Sequence, residues 1–391
     1  MKWNEVEFGE VAEIITGNTP STKKQEYYQN GTIPFVSPAD LGSKKIIIST
    51  KKNVTKLGLE VSRELPENAV MLCCIGATIG KVGITGKRLI TNQQINSFVF
   101  DENRVDYRYA YHYCTTLKDT LKGKSHSTTL PIVSKGKLSK IKIPLPPLLI
   151  QKKIATILDA ADDYRQKTKA LLDKYDELTQ SIFLDMFGDP VRNEKGWEVK
   201  TLGEVIHDSR LGKMLDKKNQ TGLHLKRYLG NSNVKWFHFD LENLKSMDFT
   251  PKEQIKFNLT KGDVLVCEGG EVGRCAIWNN DLNDCYFQKA IHRIRVNRNF
   301  ILPIYLSHFL KMSTTQNGLK DYITSSTIAH LTGVKLKTIK TPIPDIRLQI
   351  KFKDSLACID KNLAIVERET SKSEQLFQSL LQRAFKGELV N

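Results

Sequence analysis

The sequence predicts an α+β protein in which two mixed α/β domains are joined by two long coiled-coil helices and the second half repeats the first. Three observations predict this. The segment IPLPPLLIQKKIATILDAADD returns near the end of the chain as TPIPDIRLQIKFKDSLACIDK, with Pro144 matching Pro342, Gln151 matching Gln349 and Asp162 matching Asp360, without a gap as far as Phe187 and Phe385. Both copies carry apolar residues in alternating four- and three-residue steps, which is a heptad seam. The stretches before each copy are rich in short β-branched runs broken by glycine, which read as strands and turns. The implied domains are 1–146, 191–344 and the helices 147–190 and 345–391.

In the first block, IPFVS, KIIIS, AVMLCCIG and NSFVF read as strands, and Asp106–Leu121 as a helix. GATIGKVG (76–83) follows an apolar strand and superficially resembles a phosphate-binding loop. Three residues rather than four separate Gly76 from Gly80, and Val82 stands where the Mg²⁺-binding Ser/Thr belongs. A β-branched strand follows instead of a helix, so the loop is read as a hairpin with glycines at positive φ, and an ATPase is disfavoured.

The helix 147–190 opens after Pro144 and Pro146, which punctuate its start, and Gly188 follows its end. Its seam is read through Ile154, Ile157, Leu171 and Leu178. The second block repeats the strand order in YLGNSNV, GDVLVCEGG, RCAIW and HRIRV, with Ile304–Met312 as the counterpart helix. The last helix, 345–391, has its seam read through Phe352, Leu356, Ile359 and Leu363, with Asn362, Thr370 and Ser373 on or beside it. The two seams pair most simply within one chain; the alternative is that each is a dimerisation zipper. At ~1.5 Å per residue each helix is about 55 Å long.

The 391 residues exceed one ordinary core, and the opening MKWNEVEFGE shows no apolar leader, so a cytoplasmic location is expected. Seven cysteines lack metal-ligand spacing and read as buried reduced thiols; no metal site is expected. The net charge of +16 favours a polyanion, nucleic acid first. Residues 150–189 hold six Lys/Arg against eight Asp/Glu, and 346–391 hold eight against six, so the excess lies on the two strand-rich blocks.

Candidate nucleic-acid contacts follow from polar loops placed alike in both blocks. After the opening strand come Thr16, Asn18, Thr19, Lys23 and Lys24 in the first, Arg210, Lys213 and Lys217 in the second. Gln93 and Gln94, then Gln288 and Lys289, precede another strand. Lys124, Ser125, His126 and Ser127 in the first block, and Ser325, Ser326 and Thr327 in the second, lie in the loop before the final strand. Asn231 and Asn233 lie in YLGNSNV. Asn and Gln pair with adenine and Arg or Lys with guanine in the major groove. GATIGKVGI also has an echo in GGEVGRCAI, aligning Gly76 with Gly269 and Lys81 with Arg274. Either the repeated turn is purely structural, or Lys81 and Arg274 each hold a DNA phosphate.

Four duplicated motifs carry a resemblance over essentially the whole chain: Trp-x₄-[Phe/Leu]-Gly-Glu-Val at Trp3 and Trp197, G-x₃-G-[Lys/Arg], Ser-Thr-[Thr/Ile] before Lys-Leu, and Pro-x-Pro-x₄-Gln-x₂-[Ile/Phe]. In this order they resemble the specificity subunit of type I restriction–modification enzymes. The resemblance implies two target recognition domains separated by two antiparallel helices, each domain reading half of a split double-stranded DNA sequence and the helices fixing the spacer. It implies a non-catalytic subunit that binds no cofactor and joins two methyltransferase subunits and the restriction subunits. Those partners use S-adenosylmethionine, ATP and Mg²⁺ for adenine methylation and DNA cleavage. The runner-up is a related restriction system or a solitary antirestriction decoy. No Asn/Asp-Pro-Pro-Tyr/Phe methyltransferase motif occurs, and Asp345 in PDIRLQIK, matched by Pro147, is discounted as a nuclease remnant.

Overall fold

The computed structural model describes residues 3–123, 132–216, 220–324 and 329–390. Two compact units emerge. One holds the chain up to Ala170 together with the stretch from Glu367 onward; the other holds Leu171–Val366. Each therefore contains one strand-rich block, part of the helix Leu148–Phe187 and part of the helix Ile346–Phe385.

The two strand-rich blocks share a topology. In the first, the strands run Ala12–Thr16, Ile95–Phe100, Val70–Cys73 and Val82–Thr85, antiparallel throughout, with Ile46–Ile47 added parallel at the edge. In the second, Ile206–Leu211, Ile291–Val296, Val264–Cys267 and Cys275–Ile277 take the same order. A smaller sheet follows each, built on a parallel pair: Ile33–Val36 with Leu89–Thr91, and Leu225–Leu229 with Cys285–Phe287. The expected helix at Asp106–Leu121 is instead two, Tyr107–Thr115 and Lys118–Gly123, and its counterpart is a single helix, Pro303–Thr315.

The repeated Phe/Leu-Gly-Glu-Val motif is explained residue by residue. Phe8 and Val11, like Leu202 and Val205, are buried. Glu10 and Glu204 each close a capping box on the residue before the motif. Gly9 and Gly203 admit Ser139 and Lys337 so closely that a Cβ would lie 3.2 Å from Ser139 Cβ and from the Lys337 carbonyl oxygen. Phe8 N–H donates to Ile141 O at 2.9 Å, and Leu202 N–H to Ile339 O at 2.8 Å.

The repeated glutamine is a clamp. Gln151 is fully buried; its Oε1 accepts from Asp106 N–H at 2.9 Å while its amide donates to Arg104 O at 2.9 Å and Pro146 O at 2.8 Å. Gln349 repeats this with Leu302 N–H at 2.8 Å, Phe300 O at 3.0 Å and Pro344 O at 2.9 Å. Beside each clamp a buried tyrosine hydroxyl donates to the first proline's carbonyl, Tyr109 to Pro144 at 2.8 Å and Tyr305 to Pro342 at 2.9 Å.

The helix seam needs correction. Ile154, Phe352, Leu356 and Ile359 are buried as expected, and Leu363 is half-buried, but Ile157, Leu171 and Leu178 are 37%, 40% and 45% exposed. The buried face of the first helix runs instead through Ile154, Leu158, Asp162 and Thr168. The apolar rhythm misplaced it by one residue because the true face is polar where the unit up to Ala170 meets the stretch from Glu367. There Arg165 bonds Asp162 at 2.6 Å and Glu374 at 3.1 Å, and Thr168 bonds Ser373 at 3.1 Å. The Arg165 guanidinium also lies 4.3 Å from the Phe377 ring centroid, a cation–π contact. In the other unit the seam is aromatic, with Phe187 and Phe352 ring centroids 5.2 Å apart.

Removing a clamp leaves one buried donor and two carbonyls without partners. Gln151→Ala or Gln349→Ala is expected to cost about 2–4 kcal/mol in urea unfolding of the full chain. A loss under about 1 kcal/mol would show that water replaces the side chain.

Candidate nucleic-acid interface

The glycine turn is a hairpin in both domains. Val70–Cys73 pairs with Val82–Thr85, and Cys73 N–H donates to Lys81 O just as Cys267 N–H donates to Arg274 O, at 2.9 and 2.8 Å. Gly80 and Gly273 take φ of +85° and +86°, which favours glycine, and each donates back to the cysteine carbonyl. The second turn is one residue shorter, so Gly76 (φ +83°) corresponds to Gly270 (φ +76°) rather than to Gly269. The Lys81 ammonium reaches Pro38 O at 3.3 Å. Arg274 is held more firmly, donating to Asn231 O at 2.9 Å with Glu271 at 3.4 Å.

Several candidate contacts brace the loops. Asn18 spans Val61 O and Arg63 N–H, both at 2.9 Å; Thr16 donates to Asn96 Oδ1 and Thr19 to Gln93 Oε1, both at 2.6 Å. Gln94 is tied to Asn92, and Lys24 bonds the Tyr27 hydroxyl at 3.2 Å, while Lys23 is exposed. In the second domain Lys213 is bound by Asp248 O at 2.6 Å and Glu253 at 2.7 Å. Asn231 donates to Gly269 O, and Asn233 bridges Gly230 N–H and Asp240 O. Arg210 lies 3.9 Å from Asp208, Gln288 is half-buried and Lys289 exposed. Lys124, Ser125, His126, Ser127, Lys217, Ser325, Ser326 and Thr327 lie outside the described residues.

Part of the basic charge is spent internally. Arg293 is 2% exposed, bonding Asp208 at 2.5 Å and Asn258 O at 2.6 Å; Arg295 bonds Asp263 at 2.8 Å. In the first domain the Asp159 carboxylate gathers Lys45, Arg108 at 3.3 Å and His112 at 2.7 Å. Burial opposes its charge, but the hydrogen bonds from His112 and Lys45 outweigh burial and hold its pKa down at about 2. Burial lowers the His112 pKa against the opposing pull of Asp159, and it lowers that of His308, at the equivalent helix position, to about 3. His308 stacks on Phe237 with centroids 4.3 Å apart.

Thr19, a candidate from the sequence, and several polar residues that sequence reasoning passed over surround an open cleft in the first domain. Its volume is about 730 Å³, and Thr19, Gln25, Tyr28, Gln29, Phe35 and Asn53 are among its lining residues, with Lys51 and Lys52 at one side. These residues follow no period and match no motif, so only the folded loops bring them together. A cleft in the second domain includes Arg210, Lys213, Lys256 and Lys289, together with Asp216 and Glu253, in its lining. Six cysteines are buried and Cys358 is exposed. Among the described residues no helix is long and apolar enough to cross a membrane, and no cluster of His, Cys, Asp or Glu could hold a metal ion.

The sequence model of the type I restriction modification DNA specificity domain matches twice, at residues 1–175 and 194–375. The chain belongs to the type I restriction–modification specificity family. Among curated relatives, the MjaIX specificity subunit of Methanocaldococcus jannaschii is 30% identical over 227 residues, 52% of this chain and 51% of that protein. The chain therefore spans about half the length of that relative. The MjaVIII specificity subunit of the same organism is 21% identical over 99% of this chain and 93% of its own length. The S subunit from M. genitalium shares the fold, with a TM-score of 0.57 at 15% identity over 98% of this chain and 96% of that one. A chain from a structural study of complex assembly and conformational transition of the type I R-M system gives 0.58 at 18% identity, covering 99% and 98%.

A histidine whose folded pKa is depressed takes up its proton only in the unfolded chain, so its stability contribution is present above pH 6.5 and lost as pH falls toward about 3. At pH 4.5 the His308 effect amounts to about 2–3 kcal/mol. His308→Leu should flatten the fall in melting temperature of Leu171–Val366 between pH 7 and 4.5, followed in the full chain by hydrogen exchange. An unchanged pH profile would show that His308 is not the group responsible.

Proposed function

We propose that this chain is the DNA-reading specificity subunit of a type I restriction–modification complex. Each strand-rich domain contacts one half of a split double-stranded target, and the two long helices set the number of base pairs between the halves. The observation that carries the reading is the duplicated family match on two domains of common topology but different loops. A shared scaffold fixes how each domain is held; divergent loops let the halves differ in sequence. The decoy reading has no comparable support.

The chain carries no chemical step in this reading. Two methyltransferase subunits and the restriction subunits join it, and S-adenosylmethionine, ATP and Mg²⁺ are used by them. The loop residues, including Lys23, Lys289 and the Lys81 and Arg274 turns, supply DNA contacts, and the protein works in the cytoplasm with no membrane partner.

Exchanging residues 197–341 for the equivalent block of another family member should change one half of the methylated sequence and leave the other intact, read by genome-wide mapping of methylated adenines. Changes in both halves would defeat the modular reading. Adding one heptad to both long helices lengthens them by about 10 Å, roughly three base pairs of duplex. The methylated motif should then keep both halves and gain spacer; an unchanged spacer would remove the helices as the measure of spacing.

A further inference from the structure

The cleft of the first domain is built where the chain leaves the opening strand of the sheet. Gly17 N–H donates to Ile95 O at 3.0 Å there, and Gly212 N–H donates to Ile291 O at 2.9 Å at the same point of the second domain. Duplication thus kept the backbone that frames the site while the side chains around it diverged. The first domain presents amides over an aromatic floor; the second mixes Arg210, Lys213, Lys256 and Lys289 with Asp216 and Glu253, and Lys213 is already paired with Glu253. Divergence on a retained frame is what two half-sites of different sequence require.

The cleft's walls are tied in place by hydrogen bonds, and two of its side-chain amides, those of Gln25 and Gln29, are unpaired among the described residues. The Tyr28 hydroxyl donates to Pro20 O at 2.5 Å, and Tyr28 and Phe35 rings lie 6.5 Å apart beneath the opening. Phe35 N–H is shared between Lys52 O at 3.0 Å and Thr50 Oγ1 at 3.1 Å, which pins the Lys51–Asn53 loop. Thr55 N–H donates to Tyr27 O and the Thr55 hydroxyl to Glu26 O, which pins the opposite wall. Gln29 N–H donates to Gln25 O at 2.8 Å, setting these two exposed side chains one turn apart. Among the described residues their amides bond to no protein group. A Gln amide offers a donor and an acceptor side by side, the complement of adenine N7 and N6 in the major groove.

We infer that this cleft is the base-reading site of the first domain, with Gln25 and Gln29 recognising adenine-containing base pairs of one DNA half-site and Lys51 and Lys52 neutralising the adjoining phosphates. The assignment rests on the DNA-reading function proposed above and names the side chains that carry out half of it.

The test uses the intact complex in its host. Methylated adenines are mapped with the wild-type chain, with Gln25→Ala/Gln29→Ala, and with Lys51→Ala/Lys52→Ala. The glutamine variant should lose roughly 10- to 100-fold discrimination at one or two positions of a single half-site, the scale of lost bidentate contacts. The other half and the spacer should be unchanged. The lysine variant should keep the motif while the purified complex, bound to a duplex carrying it, shows a salt slope smaller by about two. A motif retained in full by the glutamine variant would overturn the assignment. So would loss of all methylation in a glutamine variant whose complex assembles and melts like the wild type. If the wild-type chain directs no bipartite methylation, the proposed function itself fails; if it does and the glutamine variant leaves it untouched, only the cleft is wrongly assigned.

Discussion

In each unit one buried glutamine ties the strand-rich block to its long helix. Gln151 and Gln349 sit in the first turn of their helices, yet all three bonds of each go to backbone outside that helix's body: a loop N–H, a loop carbonyl and the second proline of the Pro-x-Pro lead-in. A side chain that satisfies two carbonyls and one N–H in a dry site has little freedom to drift, because any movement strands a buried polar group at a cost of about 1–3 kcal/mol. The clamp joins the sheet-bearing block to the helix, and the tyrosine bonded to the first proline locks it from the other side. Any arrangement of recognition loops is thereby referred to a helix axis. That is the mechanical condition within each unit that the proposed reading of two separate sequences requires.

The parts of this organisation that were legible in the sequence are those where one residue type can do the job. Phe8 and Leu202 must be apolar, Gly9 and Gly203 must admit a neighbour, Glu10 and Glu204 must cap, and all recur in both copies. The hairpin turn was legible for the same reason, through glycine at positive φ in Gly80 and Gly273. The helices were legible as helices but not in the phase of their packing. A hydrophobic count favours Ile157, Leu171 and Leu178, whereas the face that packs uses Asp162, Arg165 and Thr168, whose polar groups find partners. Buried polarity of this kind has no periodic signature, because its favourable energy depends on what stands opposite.

The candidate interface was the least legible part. Asn, Thr and Lys in a loop advertise hydrogen bonding without saying with whom, and in Asn18, Lys213 and Asn233 the partner is the protein's own backbone or a neighbouring carboxylate. Arg293 and Arg295 show the same for charge: both count toward +16, and both are neutralised inside their domain. Gln25 and Gln29 face the Lys51–Asn53 segment across one cleft that only the fold assembles. What singles them out is hydrogen-bonding capacity left over after the scaffold has been satisfied.

The division of the chain between the two units also sets an order of assembly during synthesis. Leu171–Val366 is contiguous, so every residue of that unit is made before the stretch from Glu367 onward. The other unit begins at the N-terminus but takes Phe377, Leu381 and Ala384 into its core and packs Phe385, Leu389 and Val390 against it. The domain begun first thus waits for the stretch from Glu367, and its apolar face stays open until that stretch has been made. Domains usually complete in the order of their synthesis; here the order is reversed. A nascent chain halted short of Glu367 would hold one finished unit and one with an exposed core, a state that chaperones and proteases are suited to detect.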